Sequence, residues 1–134
     1  HQDLKPSNVL VEVVDGRPAC RLIDFGICRN ILAVSVHPHI PVGTPDYMSP
    51  EQSFAESSGA DTRSDVFAIG RILAEVVYGS PAAVGSEGSA VCRTPTVPAR
   101  LNRELCSIIR RATAVVPADR YPGVGALRDE LQRV

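Results

Sequence analysis

Residues able to do chemistry gather in three short stretches of the chain. The first is HQDLKPSN, His1 to Asn8, which sets a carboxylate at Asp3, an ammonium at Lys5 and an amide at Asn8 close together. The second is Asp24-Phe25-Gly26 and the third is Ser49-Pro50-Glu51. Carboxylate and amide oxygens are the ligands that hard divalent cations take, and a carboxylate can accept a hydroxyl proton. Singly, each residue has a plainer reading: Asp3 suits a helix cap or turn, Asn8 a turn before a strand, Asp24 a turn closing a hairpin. Other polar groups make weaker cases. His37 and His39 flank Pro38 without an evident third metal ligand. Arg110-Arg111 could meet phosphate, but the net charge is −1, so a solvated helix face is expected and no nucleic-acid partner. Cys20, Cys28, Cys92 and Cys106 are scattered, with no C-x-x-C pair, which points to reduced thiols and not to a disulfide framework or zinc site.

The elements that must position these groups are read from periodicity. Asn8 to Val14 is rich in β-branched residues, Asp15-Gly16-Arg17 follows, and ACRLID comes next, which predicts a β-hairpin. From Asp24 to Glu51 periodicity disappears, and Pro38, Pro41, Pro45 and Pro50 make this a long loop. Ser64 is placed to cap a helix from Asp65, apolar nearly all round, that Gly79-Ser80-Pro81 stops. Pro81 to Arg100 reads as irregular surface. Asn102 is placed to cap a second helix with Leu105, Ile108, Ile109 and Ala112 on one face, ended by Pro117. A last helix is expected over about Val124 to Val134.

In this order, with a hairpin between the first two, the three stretches resemble the signature set of the protein kinase family. HQDLKPSN matches the catalytic loop H-x-D-L-x-x-x-N, Asp24-Phe25-Gly26 the D-F-G motif and Ser49-Pro50-Glu51 the A-P-E signature. The resemblance covers residues 1–134 and implies a protein-kinase-like fold, C-terminal lobe only: mainly α with a small β-hairpin. It implies transfer of the ATP γ-phosphate to Ser or Thr of a protein substrate, with ATP and Mg2+ as cofactors. On that resemblance Asp3 orients the acceptor hydroxyl, Lys5 reaches the transferred phosphate, Asn8 and Asp24 take the metal positions, and Thr44 lines the acceptor pocket. His1, Asp65, Glu51 and Arg120 match structural supports. Asp65 is the family's acceptor for catalytic-loop backbone N–H groups, though a helix-dipole role would also suit it. Glu51 and Arg120 match an ion pair that pins the activation segment. VGTPDYMSPEQ, with Gln52 after Glu51, looks most like the bacterial serine/threonine kinases.

The chain also departs from the family pattern. Gln2 stands where most regulated kinases carry Arg, and between Phe25 and Thr44 the one hydroxyl side chain is Ser35, so activation by loop phosphorylation is not expected. The sequence opens at His1, inside a motif, with no Gly-rich loop or strand Lys before it. The N-terminal lobe is therefore expected to be absent and residues 1–134 inactive alone, with Phe67 and Ile69 left exposed. A pseudokinase-like protein-binding module and a degenerate gene remnant are the competing readings; intact Asp3, Asn8 and Asp24 argue against the first. Hydrophobic residues make up 44% of 134, ordinary for one globular domain. No apolar run approaches the roughly 20 residues of a membrane span, so no membrane segment and a cytoplasmic location are expected.

Overall fold

The computed structural model describes residues 1–25, 45–53, 61–79 and 98–134. Thr44, Ser35, both loop histidines and most of the Pro81–Arg100 stretch lie outside them.

Strands β1 (Val9–Val14) and β2 (Arg17–Leu22) form the antiparallel hairpin. Asp15 and Gly16 both take positive φ, 51° and 74°, as a two-residue turn of the right twist requires. The register pairs Val9 with Leu22, Val11 with Cys20 and Val13 with Pro18, so one face is wholly apolar. The other pairs Leu10 with Arg21, Glu12 with Ala19 and Val14 with Arg17. Both strands are largely exposed, Val13 to 75%.

Among the described residues four α-helices follow: α1 (Pro50–Ser53), α2 (Thr62–Tyr78), α3 (Ala99–Ala112) and α4 (Val124–Leu131). Helix α1 takes in Pro50 and Glu51, the last two residues of the stretch read as loop, and runs two residues past it. Helix α2 begins three residues before the expected start, because Asp61 is its cap: the carboxylate accepts the Arg63 N–H at 2.7 Å. Ser64 is buried inside the helix instead. Gly79 ends α2 as expected, at φ 79°, with its N–H on the Glu75 carbonyl at 2.7 Å. Helix α3 starts at Ala99, after Pro98, so Asn102 is not its cap. It ends well before Pro117, where the Thr113 hydroxyl donates to the Ile109 carbonyl at 2.8 Å.

Helices α2, α3 and α4 pack against one another. Val66, Ile108, Ala112, Tyr121 and Leu127 form the main buried cluster, and Ala74 with Ile109 a second. Gly70 sets the α2–α3 approach: a Cβ there would stand 2.8 Å from the Ala112 Cβ and the Thr113 Cγ2. Helix α2 is not buried all round, since Val76 is 77% exposed. Phe67, expected to face water, is 5% exposed. The guanidinium groups of Arg120 and Arg71 lie 4.9 and 5.4 Å from its ring centroid. Among the described residues five exposed large hydrophobics, Leu10, Val11, Val13, Val14 and Leu22, sit on the hairpin. Cys20 is a free thiol, whereas Cys106 is disulfide-bonded, which corrects the expectation of reduced thiols throughout. Among the described residues no helix is long and apolar enough to cross a membrane.

Candidate active site

The His1–Asn8 loop folds back on itself because Pro6–Asn8 makes a 3-10 turn, its Asn8 N–H on the Lys5 carbonyl at 2.9 Å. That turn carries the Asn8 amide to the Asp3 carbonyl at 2.9 Å and to Asp3 Oδ2 at 3.5 Å. Lys5 Nζ stands 2.8 Å from the same Oδ2. Asp3 is 8% exposed and Asn8 is buried, while Lys5 keeps partial access to solvent. The hairpin returns the chain to this spot: the Ile23 N–H donates to the Asn8 carbonyl at 3.0 Å, one residue before Asp24. Asp3, Lys5 and Asn8 thus meet at one end of the hairpin, and the backbone reaches Asp24 one residue past that point.

A second layer holds the loop. Asp65, in the first turn of α2, accepts the Gln2 N–H at 2.8 Å and the His1 backbone nitrogen at 2.9 Å. His1 Nε2 bonds the Ile23 carbonyl at 3.1 Å, and its ring lies 4.7 Å from Phe25. Gln2 and Asp24 sit at φ 67° and 61°, a left-handed region that is costly for side chains bearing Cβ. Such residues persist where the surroundings over-determine them.

Further out, Arg120 grips Glu51 through two parallel bonds of 2.7 Å each. Its remaining N–H groups reach the carbonyls of Ala114, Val115 and Arg63 at 2.7, 3.1 and 3.1 Å. The Ser64 hydroxyl donates to Glu51 Oε1 at 2.8 Å. Burial pushes the Glu51 carboxyl up, but hydrogen bonds from Arg120, its own backbone, Ser64 and Ser49 outweigh that and hold its pKa at about 2.

The protein kinase domain family matches residues 1–121. Serine/threonine-protein kinase pkn3 of Myxococcus xanthus is 36% identical over 100% of this chain and 27% of its own length. Serine/threonine-protein kinase Pkn1 of the same organism is 36% identical over 98% of this chain and 20% of its own. Serine/threonine-protein kinase PknB of Mycolicibacterium smegmatis is 32% identical over 100% of this chain and 23% of its own.

The chain belongs to the protein kinase family. Its relatives are bacterial serine/threonine kinases, and it spans 20 to 27% of the length of those three. The family uses ATP and Mg2+. The donor set of this kinase chain suits that ion. Asn8 spends its amide nitrogen on Asp3, and an amide oxygen and the carboxylate of Asp24, one residue past the Ile23–Asn8 bond, are of the type that would hold such a cation. Mg2+ takes one or two carboxylates plus phosphate oxygens and waters, not an all-protein cage.

Three contacts in the kinase chain had no local sequence signal. The Ser64 hydroxyl on Glu51 looked like a helix cap. The Tyr47 phenol donates to Glu75 Oε2 at 2.5 Å, tying the Pro45–Tyr47 turn to α2. Gln52 Nε2 donates to the Gln2 carbonyl across 50 residues, whereas its bonds to Ser49 follow the local Ser-x-x-Gln pattern of a capping box. Thr44 lies outside the described residues.

Proposed function

We propose that residues 1–134 are the C-terminal lobe of a bacterial-type serine/threonine protein kinase, which transfers the ATP γ-phosphate to Ser or Thr of a protein. The observation that carries this reading is the meeting of Asp3, Lys5 and Asn8 at the end of the hairpin from which the chain runs on to Asp24. Asp3 accepts the proton of the substrate hydroxyl as its oxygen attacks the γ-phosphorus and the bond to the β-phosphate oxygen breaks. Lys5, held 2.8 Å from Asp3, keeps the carboxylate oriented and offers its charge to the transferred group. Asn8 and Asp24 hold Mg2+, which neutralises charge on the phosphates when bound. Thr44 lines the acceptor site.

Adenine and the α- and β-phosphates need groups that residues 1–134 do not supply, so this chain alone shows no turnover. The test compares the chain with a kinase domain completed by a Gly-rich loop and strand Lys, using ATP, Mg2+ and a serine-containing peptide. The completed domain turns over, and Asp3→Asn abolishes this while leaving Mg2+-dependent ATP binding near wild type. Asp24→Asn weakens that binding as well. Turnover by Asp3→Asn, or equal losses of binding in the two variants, refutes the assigned roles.

A further inference from the structure

Gln2 is held in an unusual way. Its φ is 67°, yet neither of its backbone polar groups is served by regular secondary structure. The N–H goes to Asp65 Oδ1 at 2.8 Å. The carbonyl accepts from Gln52 Nε2 at 2.9 Å, across 50 residues of sequence. The same Gln52 side chain turns its oxygen the other way, accepting the Ser49 N–H at 3.1 Å and the Ser49 hydroxyl at 2.9 Å. One neutral amide therefore joins α1 to the loop that carries Asp3.

The Gln2 carbonyl and the Asp3 nitrogen share one rigid peptide plane. Fixing that carbonyl fixes the plane from which the Asp3 side chain departs. Helix α1 is a firm anchor, because the neighbouring Glu51 is locked by Arg120. The junction is also tight: the cavity lined by Gln2, Asp3, Gln52, Tyr47 and Asp65 has a volume of about 10 Å³. That is room for one water at most.

We propose that Gln52 is a positioning residue for the phosphoryl-transfer reaction: its amide N–H clamps the Gln2–Asp3 peptide plane and so couples the α1 segment to Asp3 without any phosphate. The inference rests on the assignment of Asp3 made above.

Two substitutions separate the halves of the Gln52 amide. Gln52→Glu keeps an oxygen for Ser49 but has no N–H for the Gln2 carbonyl. Gln52→Met removes both contacts at similar size without adding charge. Steady-state kinetics and thermal melts in the completed kinase domain, with Asp3→Asn alongside, read the outcome. Both Gln52 variants lose kcat tenfold or more, KM for ATP stays within twofold, and Gln52→Glu melts within about 2 °C of wild type. Wild-type kcat in Gln52→Glu with a loss only in Gln52→Met shows a mere cap on α1 and overturns the proposal. A loss in Gln52→Glu alone shows a charge effect and overturns it too, as does a rise in KM for ATP that tracks a fall in melting temperature. If Asp3→Asn itself retains turnover, the assignment of Asp3 fails, and the clamp has nothing to position.

Discussion

Replacing Arg120 by alanine removes a buried side chain that makes five hydrogen bonds. Its side chain is 0% exposed, it makes two bonds to Glu51, and it donates to the carbonyls of Ala114, Val115 and Arg63. Its guanidinium also lies 4.9 Å from the Phe67 ring centroid. Removing one partner of a buried ion pair costs about 3–5 kcal/mol, because the other charge is left uncompensated. The three carbonyls lose their donors as well, though these losses do not simply add. We expect roughly 4–5 kcal/mol, a large share of the ~5–15 kcal/mol that holds a domain together. At about 4 °C per kcal/mol the melting temperature falls by about 15 °C or more. Glu51→Gln strands the Arg120 charge and comes close to the same loss, while the double variant Glu51→Gln/Arg120→Met costs less than the sum. The pH dependence has a definite sign. Glu51 titrates at about 2 instead of 4.5, so its contribution is complete above pH 4.5 and is lost as pH falls toward 2. Calorimetric melts of the purified chain and its variants across pH 6 to 3 test this. An Arg120→Ala melt within about 3 °C of wild type, or single and double variants that add without coupling, refutes the reasoning.

Gly70→Ala drives a methyl to 2.8 Å from the Ala112 Cβ and the Thr113 Cγ2, so α2 and α3 must move apart. About 1–3 kcal/mol of stability is lost, measurable by urea denaturation. Tyr47 donates to Glu75, which with burial pushes its phenol up to about 12. The stability it contributes is present below pH 10 and lost as pH rises toward 12. Burial raises Tyr78 and Tyr121 as well, so the test is an ultraviolet titration in which Tyr47→Phe removes the last-ionising of the three tyrosines; loss of an earlier step instead contradicts the assignment.

The hairpin, the order of the chemical motifs, the stop at Gly79 and the buried face of α3 were all legible in the linear sequence. Each rests on neighbours in the chain: strand alternation about Asp15-Gly16, a glycine able to take φ 79°, and apolar spacing at Ile108, Ile109 and Ala112. The closeness of Asp3, Lys5 and Asn8 is likewise local, since the three lie within six residues of one another in the chain. Where a polar side chain went was decided by tertiary structure. Ser64 has the chemistry of a cap, but Glu51 is near enough to take its hydroxyl, and the cap falls to Asp61. Phe67 reads as a residue in want of cover, and Arg120 and Arg71 cover it. The reach of Gln52 to the Gln2 carbonyl exists only once α1 meets the loop. A hydrogen bond is worth little against water until both partners are held in place and desolvated, and no local pattern reveals which distant groups the packing will bring within 3 Å.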